Sequence, residues 1–214
     1  MDASVDTSRR RFLVAAASAG SGLVIAFLVP GAHRYVLAQE GSPESGPQGA
    51  PPKPAPPSPN AFLHIGSDGA VRVLLSHSEM GQGIWTALPL LLAEELDCDS
   101  STIKAGHAAA APQYAHTAFG IQMTGGSSSV WSEFERYRTV GAMARQMLVA
   151  AAAVRFGVAA ADCRAADGVV SAGTHRASDG ELADAAARVA APTEVKLKER
   201  KDWTLIGKPV PRQD

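Results

Sequence analysis

Eight of the chain's fourteen prolines fall between residues 42 and 59, interleaved with Gly, Ser and Ala. Proline fixes its φ angle and has no backbone N–H, so such a stretch can neither continue a helix nor sit inside a sheet, and it has too few apolar side chains to bury a core. Residues 39–59 are therefore expected to form an extended, semi-rigid linker. What folds must follow it: residues 60–208 form about one domain, and residues 209–214 begin a connection to a further domain. No repeat of roughly 20–50 residues points to a solenoid.

Ahead of the linker, Ser8-Arg9-Arg10-Arg11-Phe12-Leu13-Val14 sets an arginine pair before a run of small and apolar residues reaching about Ala32. A charged region followed by an apolar one is the pattern of a twin-arginine signal peptide, which takes residues 1–38 with cleavage expected after Ala38 in Val36-Leu37-Ala38. Gly20, Gly22 and Pro30 make the run a poor permanent anchor; a retained signal would leave the product membrane-associated. The expected destination is the periplasm, reached in folded form through the twin-arginine translocase. Such a route is needed mainly when a cofactor is inserted, or a partner docked, before crossing.

Removing residues 1–38 takes four arginines and two aspartates, leaving 16 basic and 19 acidic groups. That balance argues against nucleic acid as a partner. The two cysteines, Cys98 and Cys163, suit either one disulfide in an oxidising compartment or two small buried hydrophobes.

Within the folded part, Phe62–Ile65 and Val71–Leu75 flank Gly66-Ser67-Asp68-Gly69, where an Asp-Gly pair supplies positive backbone angles for a hairpin turn. Ile84, Leu88, Leu91, Leu92 and Leu96 recur at helical spacing, with Pro89 in the first turn or at a kink. Residues 102–107 alternate as a short strand. A second helix is predicted from Ser129 through Phe134, Tyr137, Val140, Met143, Ala144, Met147 and Leu148 to about Phe156. Residues 168–170 read as a strand, Ser178-Asp179-Gly180-Glu181 as a capping box opening a helix to about Val189, and Glu194–Lys198 as a last strand. The expected class is α+β, a hairpin-containing sheet with amphipathic helices on one face.

Each long helix follows a loop of small residues. Gly81-Gln82-Gly83 precedes the first and Thr124-Gly125-Gly126-Ser127-Ser128-Ser129 the second. Unpaired N–H groups and the helix dipole at such ends favour an anionic group, and the glycines let the backbone approach a ligand closely. Two loops of this kind in one domain suit a large, polar, phosphate-bearing cofactor. Each taken singly reads equally well as a glycine turn with a serine cap.

In order, His77-Ser78-Glu79-Met80-Gly81-Gln82-Gly83, Leu91-Leu92-Ala93-Glu94-Glu95-Leu96-Asp97 and the serine loop resemble the molybdopterin-binding subunit of the xanthine dehydrogenase and aldehyde oxidase family. Within it they are most similar to the exported branch typified by the isoquinoline 1-oxidoreductase beta subunit and membrane-associated aldehyde dehydrogenases. The likeness runs from the signal through Asn60-Ala61-Phe62 to residues 205–212, Leu-Ile-Gly-Lys-Pro-Val-Pro-Arg. It implies a molybdenum cofactor, molybdopterin or its cytosine dinucleotide form, held by Gly81, Gln82 and Gly83 and along its tail by Gly125, Gly126, Ser127 and Ser129. It also implies hydroxylation of an aldehyde or N-heterocycle carbon with oxygen from water, and electrons passed to iron–sulfur clusters on a small partner subunit, with a cytochrome as a further partner.

The family's large subunit continues for several hundred residues, and its general-base glutamate lies in a Gly-Val-Gly-Glu-like segment near its C-terminus that this sequence lacks. No catalytic residue is assigned, and the remaining part of the large subunit is an expected partner. Glu79 reads as a loop-bracing or solvent-facing acid. The alternative function is a truncated, non-catalytic exported scaffold or assembly module of the same fold. No metal site is assigned: His64, His77, Glu79, His107 and His116 lack zincin spacing, and Ser127–Ser129 lack the Gly-x-Ser-x-Gly elbow of a serine hydrolase.

Overall fold

A computed structural model describes residues 62–213. The segments read as signal peptide and linker lie wholly outside the described residues. Two strands open the fold, β1 (Leu63–Ile65) and β2 (Val71–Leu75), paired antiparallel with Leu63 opposite Val73 and Ile65 opposite Val71. The predicted hairpin is present, but its turn takes a positive φ only at Gly69, not at Asp68. Gly69 N–H reaches the Gly66 carbonyl at 2.9 Å, and the Asp68 carboxylate accepts from Ala70 N–H at 3.0 Å.

Helix α1 (Ile84–Leu96) carries the chain to β3 (Lys104–His107), which pairs parallel with β2, Val73 opposite Ala105 and Leu75 opposite His107. A parallel partner requires a crossover, and α1 provides it. Alternation along β2 buries Val71, Val73 and Leu75 while Arg72 and Leu74 face outward. The predicted apolar face of α1 is buried, and Pro89 lies inside the helix rather than in its first turn.

Helix α2 (Ser129–Phe156) begins and ends where the periodicity predicts; Tyr137, Val140, Met143, Ala144, Met147 and Leu148 are buried, and Gly157 closes it in the left-handed conformation. It packs along α1 at a close crossing. A Cβ built on Gly141 would lie 2.3 Å from the Leu92 carbonyl oxygen, so only glycine permits this approach.

Beyond α2, the strand read at residues 168–170 proves to be β5 (Val169–Ala172), the middle of a second antiparallel sheet with β4 (Arg164–Ala166) and β6 (His175–Ser178). The single sheet of the sequence reading is thus two three-stranded sheets. Strands β4 and β6 were not legible because they are three and four residues long and rich in Ala, Arg and His. Ser178 and Glu181 form the reciprocal capping box of α3 (Asp179–Ala186), which stops short of Val189. Cys98 is buried, Cys163 is partly buried, and both thiols are free.

Residues 194–198 do not form a strand. Two buried carboxylates of α1 instead hold this stretch of chain, Glu95 at Lys198 and Glu94 further along at residues 204–206. Glu95 accepts from Lys198 N–H at 3.0 and 3.2 Å, and Glu94 accepts from the N–H groups of Thr204, Leu205 and Ile206 at 2.6–3.0 Å. The segment becomes a strap laid over α1 and pinned by charge-assisted bonds.

Candidate functional site

Both small-residue loops sit at the same end of the α1–α2 pair, and one bond joins them directly: Ser78 N–H donates to Thr124 Oγ1 at 2.8 Å. The bond ties the residue three places before Gly81 to the residue immediately before Gly125; among the described residues no hydrogen bond runs directly between Gly81, Gln82 or Gly83 and Gly125, Gly126, Ser127 or Ser129. Gly81, Gly83 and Gly126 have φ of 92°, 85° and 63°, and a Cβ at any of them would meet nothing within 4 Å. Their glycines are required by conformation, and their backbones face open space.

The two helix ends differ. The N-cap of α1 is Gly83, which has no side chain to cap with, and the first turn of α1 contains no acid. Glu79 does that work. Its Oε1 accepts from Gly81 N–H at 2.8 Å and Gly83 N–H at 3.0 Å, and its Oε2 from Trp85 N–H at 3.0 Å. Gln82 also turns inward: its carbonyl accepts from Met80 N–H and its amide donates to the Ser78 carbonyl at 2.7 Å. Of the donors expected at this helix end, those of Gly83 and Trp85 are bonded to Glu79, and of the two roles open to Glu79 the structure shows loop bracing.

At α2, Ser128 is the N-cap, but its hydroxyl donates to the Gly125 carbonyl at 2.7 Å and caps nothing. No acid lies in the first turn. Among the described residues, the N–H groups of Ser129, Val130 and Trp131 find no acceptor. Gly126 and Ser127 are exposed, and Ser129 is buried. This end retains the open donors and uncompensated dipole that favour an anion.

Beneath the loops lies a buried polar floor that the sequence reading did not assemble. Glu133 of α2 lies 3.4 Å from His77 Nε2 and 3.3 Å from Arg136, whose other guanidinium nitrogen donates to the Ala115 carbonyl at 2.8 Å. His116 accepts from Ala118 N–H at Nδ1, which leaves its proton on Nε2. Burial, reinforced by the neighbouring His77, lowers the His116 pKa and favours the neutral ring. Thr117 donates to the Ser132 carbonyl at 2.8 Å, tying the loop of residues 108–122 to α2.

Glu94 and Glu95 were read only as part of a recognisable segment. Burial alone would push the Glu94 carboxyl up, but the N–H groups of Thr204, Ile206 and Leu205 with the Lys198 ammonium hold it down to about 2. Glu95 pairs with Arg138 at 2.6 Å. The strap they hold reaches the first loop, where Arg212 donates to the Gly81 carbonyl at 3.3 Å and Gln213 N–H to Thr86 Oγ1 at 2.9 Å. A signal was available: adjacent carboxylates continuing the apolar stripe Leu88, Leu91 and Leu92 must be buried and therefore paired. Among the described residues, no three His, Cys, Asp or Glu side chains are placed to hold a metal ion.

The sequence model of the molybdopterin cofactor-binding domain matches residues 10–213. A membrane-bound aldehyde dehydrogenase (pyrroloquinoline-quinone) of Gluconacetobacter polyoxogenes is 31% identical over 175 residues, covering 82% of this chain and 21% of that protein. The isoquinoline 1-oxidoreductase subunit beta of Brevundimonas diminuta is 32% identical over 200 residues, covering 76% of this chain and 26% of its own length. The chain thus spans about a fifth to a quarter of these relatives. Among solved structures, quinoline 2-oxidoreductase from Pseudomonas putida 86 overlays with a TM-score of 0.44 at 19% identity, covering 63% of this chain and 17% of the other. The Cu,Mo-CO dehydrogenase overlays with a TM-score of 0.45 at 18% identity, covering 57% and 16%.

Proposed function

Because this chain belongs to the molybdopterin cofactor-binding domain family, we propose that it forms part of the cofactor cradle of a molybdenum-cofactor oxidoreductase, with the open N-terminus of α2 as its anion-holding element. The single observation that carries this reading is the contrast between the two helix ends: α1 is capped by Glu79, whereas α2 presents unpaired N–H groups beside exposed Gly126 and Ser127. Phosphate oxygens fit that donor set.

In this reading Gly126, Ser127 and the N–H groups of Ser129, Val130 and Trp131 take the phosphate-bearing portion. Gln82, whose amide both donates and accepts, is the polar side chain of the adjoining loop. Once bound, the cofactor would supply the redox chemistry: hydroxylation of an aldehyde or N-heterocycle carbon with oxygen from water, electrons passing to iron–sulfur clusters of a partner subunit. The residues of this chain bind and orient. His77, Glu133 and Arg136 stiffen the floor, and Glu94 and Glu95 hold the strap that delivers Arg212 to the first loop.

The export reading belongs to the same proposal: the domain would be filled in the cytoplasm and moved folded to the periplasm through the twin-arginine translocase, with the rest of a large subunit and an iron–sulfur subunit as partners. A second reading, a non-catalytic scaffold of the same fold, is favoured by the internal closure of the first loop through Glu79 and Gln82. The two separate on one experiment. The chain is produced alone and with its neighbouring reading frames in a host that makes the cofactor, and molybdenum is measured by elemental analysis and pterin by fluorescence after acid oxidation. Metal and pterin in near-equal amounts in either preparation support the cradle. Their absence from both leaves the scaffold.

A further inference from the structure

Helix α1 has an unusual beginning. Its N-cap is a left-handed glycine, φ 85° and ψ 21°, and its first turn lacks any acid. A helix end with unpaired donors and a positive dipole is stabilised by a nearby negative charge. Glu79 provides it from four residues upstream of the N-cap, and its carboxylate lies inside the curve of the loop, bonded to Gly81, Gly83 and Trp85 N–H. For two alternate N–H groups to converge on one oxygen, the intervening backbone must coil tightly. Left-handed angles at Gly81 and Gly83 are what allow it. Gln82, between them, is then placed by geometry, with its amide against Ser78 and Met80.

We propose that Glu79 is a positioning residue that acts as a built-in anion: it fills the donor site at the α1 N-terminus, shapes the loop that presents Gln82, and leaves α2 as the end that receives an anionic ligand. This deepens the cradle reading and rests on it for the role of Gln82. The occupation of the α1 donors does not depend on that reading. A helix end already neutralised by a carboxylate at 2.8–3.0 Å repels a second anion.

The test uses the full chain with Glu79→Ala and Glu79→Gln. Removing the carboxylate exposes the donors it covered, so formate or acetate at tens of millimolar should raise the melting temperature of Glu79→Ala by several degrees relative to sodium chloride of equal ionic strength. Wild type, whose α1 donors are already covered by Glu79 and which can respond only through the α2 end, should gain distinctly less. Amide exchange at Gly81, Gly83 and Trp85 should accelerate at least tenfold in Glu79→Ala. In Glu79→Gln, whose carbonyl can still serve Gly81 and Gly83, acceleration should be confined to Trp85. That second variant decides the matter if the alanine protein does not fold. In the cofactor-loaded assembly, Glu79→Ala should lower pterin content at least twofold, whereas Glu181→Ala, which removes the remote cap of α3, should cost stability without that loss.

Unchanged amide exchange in both variants, or a Glu79→Ala protein that formate stabilises no more than it does wild type, overturns the proposal. Absence of pterin from the wild-type assembly defeats the cradle reading alone, because the exchange and formate measurements need no cofactor.

Discussion

Gly141 of α2 lies directly against the Leu92 backbone of α1: a Cβ there would fall 2.3 Å from the Leu92 carbonyl oxygen and 3.1 Å from the Glu95 Cβ. The two helices carry the two loops at their N-termini, so this contact sets how far apart the loops stand. Gly141→Ala should gain about 1 kcal/mol of intrinsic helix propensity and lose more to the clash with backbone that cannot move aside. A net loss of about 2 kcal/mol in urea unfolding is expected, together with a lower pterin content in the loaded assembly.

The strap should be released by acid. Glu94 is held down to about 2 in the fold against an ordinary value near 4.5. Its stabilising contribution is complete above about pH 4.5 and is lost as the pH falls toward 2, a total on the order of 3 kcal/mol. Amide exchange at Thr204, Leu205 and Ile206 should quicken over that range. In Glu94→Gln those amides should exchange rapidly even at neutral pH.

Asp179 has the opposite sign. Burial, and secondarily the charge of Asp97, pushes its carboxyl up to about 6, and its Oδ2 has no hydrogen-bond partner among the described residues. An acid whose folded value is raised costs no stability below its ordinary value near 3.8; the cost grows as the pH rises to 6 and stays constant above. Asp179→Asn should therefore stabilise the fold by on the order of 2 kcal/mol at pH 7 and by almost nothing at pH 4, read as the difference in melting temperature between the two buffers.

Gln82→Ala, in the assembly that carries cofactor, should reduce molybdenum and pterin together while leaving the melting temperature of the unloaded chain within a few degrees, because the side chain lies on an exposed loop. A loaded assembly with full pterin content would remove Gln82 from the cradle.

Much of the architecture was legible from local pattern. Helix α2 is a long periodic run opened by small residues and ended by Gly157, and Ser178 with Glu181 is a capping box in sequence as in structure. The second sheet was legible only at β5, because its other strands are short and made of residues indifferent to strand formation. Residues 194–198 have the composition of a strand but pair with none; Lys198 N–H goes instead to the buried Glu95 carboxylate, a long-range partner that local pattern does not show.

The amino-acid sequence by itself determined the elements, the two glycine-bearing loops and the family they resemble, since periodicity, caps and turn residues act over a few positions. The tertiary structure alone decided which loop has donors to offer. Ser128 stands at the N-cap of its helix and Glu79 four residues before that of its own, yet the distant carboxylate folds back onto three N–H groups while the hydroxyl at the cap turns to Gly125 and leaves its helix open. Hydrogen bonds are directional, and which acceptor meets which donor depends on backbone angles that composition does not specify. The strap is the same lesson at long range: Glu94 meets Thr204, Leu205 and Ile206 only after the chain has returned across α1.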